Sequence, residues 1–231
     1  AGIDYAISKK VNIAYDFRFN NNDGKSHAAN PIDIMTRQSA VVLAQNGSTI
    51  NNDNNSSFVA NELSSKYKID TIGSELATEF DYYYYDYKNK QDYVNYYLQP
   101  LRNDITGFGD NKNRKHNFNI QSDLTLKLPA KITLEAGVKF SFSNSRNSAA
   151  YTKDTGNGEK FTDLYQTNSY TYKESLGAAY LQASKTVAGF TIKPGLRFET
   201  TDINGHQLIP SDTSFSIKRS DLFPYVFIKH T

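Results

Sequence analysis

Side chains at alternate positions of this chain differ in polarity over long stretches. Val11, Ile13, Tyr15, Phe17 and Phe19 alternate with Asn12, Ala14, Asp16, Arg18 and Asn20. Successive side chains of a strand point to opposite faces, so this period-2 pattern makes one face apolar and the other polar. Phe118, Ile120, Leu124, Leu126 and Leu128 repeat it against Asn119, Gln121, Asp123, Thr125 and Lys127, with Ser122 the one lapse. Ile132, Leu134, Ala136, Val138, Phe140 and Phe142 oppose Lys131, Thr133, Glu135, Gly137, Lys139 and Ser141. Phe190, Ile192, Pro194, Leu196 and Phe198 oppose Thr191, Lys193, Gly195, Arg197 and Glu199. No helical period of similar strength occurs. Asp33 to Gln45 is the one segment read as a short helix.

The connections alternate between short and long. Tight turns are expected around Ser8-Lys9-Lys10, Thr71 to Ser74, Pro129-Ala130 and Val187 to Gly189. Long polar loops are expected over 21–56, 88–114, 147–169 and 202–220. Nine strands fit between them, roughly 2–8, 10–20, 57–70, 74–88, 114–128, 131–146, 171–186, 189–203 and 219–230. This is an all-β antiparallel meander, with every short turn at one end and every long loop at the other. Apart from the first, its strands run about 11 to 16 residues, longer than the five or six usual in soluble sheets. Strands of that length can cross a membrane at a tilt, which takes ~9–11 residues. The pattern therefore predicts part of a transmembrane β-barrel with short periplasmic turns and long extracellular loops. The competing reading is a soluble β-sandwich binding module, an adhesin or carbohydrate binder, with one wet face.

Composition agrees with either reading and excludes others. Of 231 residues, 38% are hydrophobic, yet there are 17 Tyr and 14 Phe, too many aromatics for a disordered chain. The net charge is +2 with the signs interspersed, so nucleic acid is not an expected partner. The chain has no Cys, which removes disulfides, thiolate metal sites and Cys nucleophiles. No apolar run reaches the ~20 residues of a membrane helix, but transmembrane strands average out to polar and escape that test. The N-terminal "AGIDYAISKK" lacks the basic start and apolar core of a signal peptide.

Eight tyrosines fall between Tyr82 and Tyr97. Phe80, Tyr82 and Tyr84 share the apolar face with Leu76, near the loop end of their strand. With Phe140 and Phe142 they are candidates for an aromatic girdle, where rings meet acyl chains and hydroxyls reach headgroup water. Tyr93, Tyr96 and Tyr97 lie farther out, and a stacking platform for a sugar or another ligand is the alternative for them.

Several segments resemble the β-barrels of TonB-dependent receptors from Bacteroides-type bacteria. "AAYLQASKTVAGFTIKPGLRFETT" (178–201) is similar to a recurring hairpin of that family, and "DLFPYVFIKH" (221–230) to a nearby downstream strand. "GIDYAISKKVNIAYDF" and "LEAGVKFSFSNS" also resemble its hairpins. The resemblance implies a barrel of 22 strands in the outer membrane, closed by a plug domain and coupled to the TonB system. It implies uptake of a nutrient such as a glycan, peptide or metal chelate, with a surface lipoprotein as a further partner. The plug, a TonB-binding segment and a terminal aromatic have no counterpart in the sequence, so a fragment of a larger barrel is expected.

The expected lumen-facing polar residues are Asp16, Arg18, Glu79, Asp123, Lys127, Glu135, Lys139, Lys193, Arg197 and Glu199. Their mixed charges read as a wall that pairs internally or with the plug, not as an acid/base pair. No catalytic, cofactor or metal site is expected. His27, His116, His206 and His230 share no ligand spacing. "NNNDGK" and "NNDNNSS" fail as calcium loops: Gly24 at the sixth position of such a loop puts Phe19 at the first, where a ligand is needed. They read as polar loop.

Overall fold

The computed structural model describes residues 1–37 and 41–230. They form one antiparallel sheet, with strands β1 (Gly2–Ala6), β2 (Val11–Met35), β3 (Val42–Lys68), β4 (Glu75–Gln99), β5 (Leu101–Leu128), β6 (Ile132–Asp154), β7 (Lys160–Thr162), β8 (Asn168–Val187), β9 (Phe190–Ile209) and β10 (Thr213–His230). The order follows the chain, except that short β7 lies off the path beside β6. The sheet is open, with β1 and β10 at its edges. No second sheet packs on it among the described residues, so the two-layer core of a β-sandwich is not formed.

The four tight turns fall where the sequence places them. Asp70 Oδ1 accepts from the amides of Ile72 (3.0 Å) and Ser74 (2.9 Å), closing the β3–β4 turn. Ala188 and Gly189 both have positive φ (50° and 80°) between the paired Val187 and Phe190. That backbone matches the right-handed twist of the flanking strands.

Three of the four long loops are mostly strand, 202–220 among them, where β9 and β10 pair from Gln207↔Thr213 inward. β2 pairs with β3 from Val11↔Tyr67 out to Met35↔Val42, through all of 21–35 and 42–56. β4 and β5 pair out to Leu98↔Leu101, through 88–98 and 101–114 with one register shift. The eight long strands therefore run 18 to 28 residues, not 11 to 16. The expected helix over Asp33 to Gln45 is also corrected. Asp33 to Met35 end β2 and Val42 to Gln45 begin β3, while 38–40 lie outside the described residues. Between β6 and β8, residues 155–167 keep a real connection, with β7 inside it.

Register carries the faces from strand to strand. One row runs Tyr15–Leu63–Phe80–Ile120–Phe140 and its neighbour runs Phe17–Asn61–Tyr82–Phe118–Phe142. Nearer the turns lie Leu76–Leu124–Ala136–Leu181–Leu196–Pro224. The apolar side chains thus form a belt, interrupted between these rows by Ser65–Thr78–Ser122, and many remain exposed, among them Phe19, Val138, Leu181 and Val226. The whole sheet has almost no core: Ala60, Tyr93 and Ala178 are its only buried hydrophobic residues among those described. A broad apolar face left open this way marks a surface that meets another apolar phase.

Candidate functional site: the polar face

The register places all ten predicted polar residues on the face opposite the belt. Asp16 is in line with Glu62 and Asp81, and Glu79 with Gln121 and Lys139. Asp123 is in line with Gly137, Tyr180 and Arg197, and Lys127 with Thr133. Glu135 lies opposite Gln182, and Glu199 opposite Ala178. Lys193 lies opposite Phe227.

Eight of the ten are held in separate bonded groups along this face. Tyr180 donates its hydroxyl to Asp123 Oδ1 (2.6 Å), and Gln121 donates to the other Asp123 oxygen (2.6 Å). Lys193 and Gln182 both reach Glu135 Oε2, at 2.6 and 3.0 Å. Tyr225 donates to Gln182 Oε1 at 2.6 Å. Arg197 holds Glu199 through two nitrogens, at 3.1 and 2.8 Å. Arg18 pairs with Asp16 (3.1 Å) and also contacts Glu62, which accepts from Tyr83 (3.0 Å). Lys127 donates to Thr133 at 3.1 Å.

Glycines make room for the rings. Gly137 lies directly opposite Tyr180, and Gly195 directly opposite Tyr225. A Cβ at either glycine would overlap the facing ring. The same arrangement recurs at Gly107 with Tyr93, Gly109 with Tyr151 and Gly205 with Phe215. Each ring occupies the space that a side chain on the facing glycine would fill, which packs it without a core.

Farther out the polar face changes character. Asn89, only 6% exposed, donates to Asn54 (2.8 Å) and Asn52 (3.2 Å), and accepts from Asn111 (3.0 Å). Asn111 also donates to the Tyr151 hydroxyl at 2.9 Å. Tyr87 donates to Asn54 at 2.7 Å. This ladder of amides and phenols spans β3 to β6 and carries no formal charge. The connection 155–167 folds onto its rim. Asp163, almost fully buried, takes an ion pair from Lys153 (3.1 Å) and hydrogen bonds from the Tyr165 amide (3.1 Å) and Gln166 (3.3 Å). Burial pushes the Asp163 carboxyl up, but these partners outweigh it and hold it below the usual carboxylate range. The Tyr165 ring stands 98% exposed beside it.

The girdle candidates Phe80, Tyr82, Tyr84, Phe140 and Phe142 lie on the belt face. Phe80 meets Phe118 edge-on at 5.1 Å, and Phe118 meets Phe140 at 6.3 Å. Tyr84 lies 4.8 Å from the His116 ring. Alternation splits the tyrosine run: Tyr83, Tyr85, Tyr87 and Tyr93 face the polar side. Tyr93, Tyr96 and Tyr97 belong to β4 and not to a loop.

The asparagine ladder, the glycine–ring pairs and the Asp163 clasp were missed by the sequence reading. "NNNDGK" and "NNDNNSS", read as loop, are strand segments of β2 and β3. All four histidines also lie in strands. His27 bonds Asn51 (2.7 Å), His116 bonds Tyr82 (3.0 Å), His206 bonds Asp212 (2.8 Å) and His230 packs on Phe190 (4.6 Å).

A long-stranded meander with one apolar belt and one bonded polar face has the construction of a membrane β-barrel wall. The chain belongs to the outer membrane protein beta-barrel family, whose profile matches residues 67–231; it is an outer-membrane protein. No curated protein matches it. Among solved structures it is similar to the ferric citrate transporter FecA in the unliganded form, at 8% identity and a TM-score of 0.40. That match covers 100% of this chain and 41% of FecA. It is also similar to the ferric yersiniabactin uptake receptor FyuA from Yersinia pestis, at 11% identity and a TM-score of 0.34. There the match covers 97% of this chain and 40% of FyuA. The chain thus spans about two fifths of the length of either protein.

Proposed function

We propose that this chain forms part of the wall of an outer-membrane uptake receptor of the TonB-dependent kind. Its polar face, with Asp16, Arg18, Glu79, Asp123, Lys127, Glu135, Lys139, Lys193, Arg197 and Glu199, lines the lumen, and the belt faces lipid. The observation that carries this is the division of a single sheet into a largely apolar face and a hydrogen-bonded polar one. A wall of this kind needs its edges paired, because an open backbone edge in hydrocarbon is costly. The free edges of β1 and β10 are therefore the places where further barrel strands join.

The extended hairpins project well past the ~25 Å apolar band. Their inner surface is where cargo and a surface lipoprotein make contact, while the charged groups nearer the turns grip a plug domain. Segments 178–201 and 221–230, which resemble receptors of Bacteroides-type bacteria, support the TonB assignment. The cargo belongs to the glycans, peptides or metal chelates such receptors import. The chain has no catalytic role and binds no cofactor in this account.

The test is growth of the source bacterium on a panel of glycans, peptides and ferric chelates, with the gene intact or deleted. Deletion is expected to remove growth on one nutrient class, and loss of TonB function to reproduce that defect. Unchanged growth on the panel, or a defect that survives without TonB, would remove the receptor reading.

A further inference from the structure

Past the last aromatic row of the belt, the lipid side of the sheet changes abruptly. Two residues beyond Phe118 and Phe142 lie His116 and Asn144, which face each other and Lys173. Two residues farther, Arg114 lies directly opposite Arg146. Like charges directly opposite each other destabilise a sheet. Asp86 relieves only the first, bonding Arg114 at 2.9 Å while also meeting Lys88 at 3.4 Å. Asp202, the carboxylate diagonal to Lys173, pairs with Lys218 at 3.4 Å. Arg146 and Lys173 are exposed and have no ion-pair partner among the described residues. Between them, Asn144 Oδ1 is the one buried side-chain oxygen or nitrogen without a hydrogen-bond partner among the described residues. Buried polar atoms seldom go unpaired.

We propose that Arg114, Arg146, Lys173 and Asn144 form a site for the phosphorylated headgroup of an outer-membrane lipid. The inference rests on the lipid-facing reading of the belt. Position argues for a lipid rather than a free anion, since the site continues the belt and stands at the depth where headgroups begin. Tyr82 and Tyr84 form the floor on which the upper acyl chain lies. The two free cations take the phosphate. The Asn144 amide, in line between the cations, turns outward to bond the headgroup. Binding there also relieves the Arg114–Arg146 repulsion, so lipid stabilises the outer half of β5, β6 and β8.

The experiment places a fluorophore on a single cysteine at Ser175, opposite Phe142 and two residues below Lys173 on the same side of β8. The chain has no Cys of its own. The protein is reconstituted in phosphatidylcholine nanodiscs containing a small fraction of brominated phosphatidylglycerol, which quenches only on contact. Quenching above random mixing is expected. Arg146→Gln with Lys173→Gln should weaken the preference about tenfold, roughly 1.4 kcal/mol, given the size of single basic-residue effects at anionic surfaces. Lys173→Gln alone should weaken it less, and Lys139→Gln on the opposite face not at all. Equal quenching by brominated phosphatidylcholine, or a preference untouched by the double substitution, would overturn the site. Displacement by millimolar inorganic phosphate would assign it to the free anion instead. A label at Phe140 that no brominated lipid quenches would instead refute the lipid-facing belt itself.

Discussion

An arginine at Leu124 tests the belt quantitatively. Leu124 lies in register with Leu76 on one side and Ala136 on the other. On β5 the belt runs from Phe118 to Leu128. At ~3.3 Å per residue and a strand tilt of about 40°, Leu124 sits about 15 Å below the aromatic rim and about 10 Å above the turn rim. Those depths sum to the ~25 Å of an outer-membrane apolar band, so Leu124 is close to its midplane. Leu124→Arg should then cost ~2–4 kcal/mol, while Leu128→Arg at the turn rim should cost about 0–1 kcal/mol. Thr125→Arg is the matched control, because Thr125 faces the polar side between Glu75 and Glu135. It should be close to neutral. Reversible unfolding in phospholipid vesicles by guanidinium measures all three. Equal costs at Leu124 and Thr125, or no difference between Leu124 and Leu128, would refute the assignment of the faces and of the depth.

Four further outcomes follow from the geometry. Tyr180→Phe should lower stability by about 1 kcal/mol, since Asp123 keeps the Gln121 bond and loses only the phenol; denaturant midpoints check it. Gly137→Ala should displace the Tyr180 ring and cost more than Tyr180→Phe in the same assay, because both the hydrogen bond and the ring's seat are lost. Ala188→Gly should raise stability by roughly 0.5–1 kcal/mol, as Ala188 holds a left-handed φ that favours glycine, and thermal melting reads it. Asp163 has a folded pKa below its unfolded value, so its contribution is present above the unfolded pKa and lost as pH falls through the folded one. Limited proteolysis should therefore cut 155–167 faster below about pH 4 than at neutral pH, and Asp163→Asn should give fast cutting at both.

The belt half of the fold was legible because one side of it is apolar. Wherever the two faces differ in polarity, alternation names both the strand and the face, as in Val11 to Phe19 or Ile132 to Phe142. The outer halves of β2 to β5 have two wet faces. There Asn21 to Ser26 and Asn51 to Ser57 alternate nothing, and Asn is a poor strand former. Pairing carried onward from the turns, with amide bonds such as Asn89 to Asn54, makes strands that no local signal announces. The Gly–ring pairs hide for another reason. Gly137 and Tyr180 lie 43 residues apart in the chain and become partners only through register. The short turns were readable because their residues, from Asp70 to Ser74 and at Ala188-Gly189, carry their own hydrogen bonds or backbone preferences.

The most direct test of the account is a cysteine scan of Phe118 to Leu128 in the protein assembled in outer membranes, one site at a time. Each thiol is probed with a membrane-confined quencher and with a water-soluble maleimide. Phe118, Ile120, Leu124, Leu126 and Leu128 should meet the lipid probe while Asn119, Gln121, Asp123, Thr125 and Lys127 meet the aqueous one. Uniform access to water along the strand, or lipid contact on both faces, would contradict it.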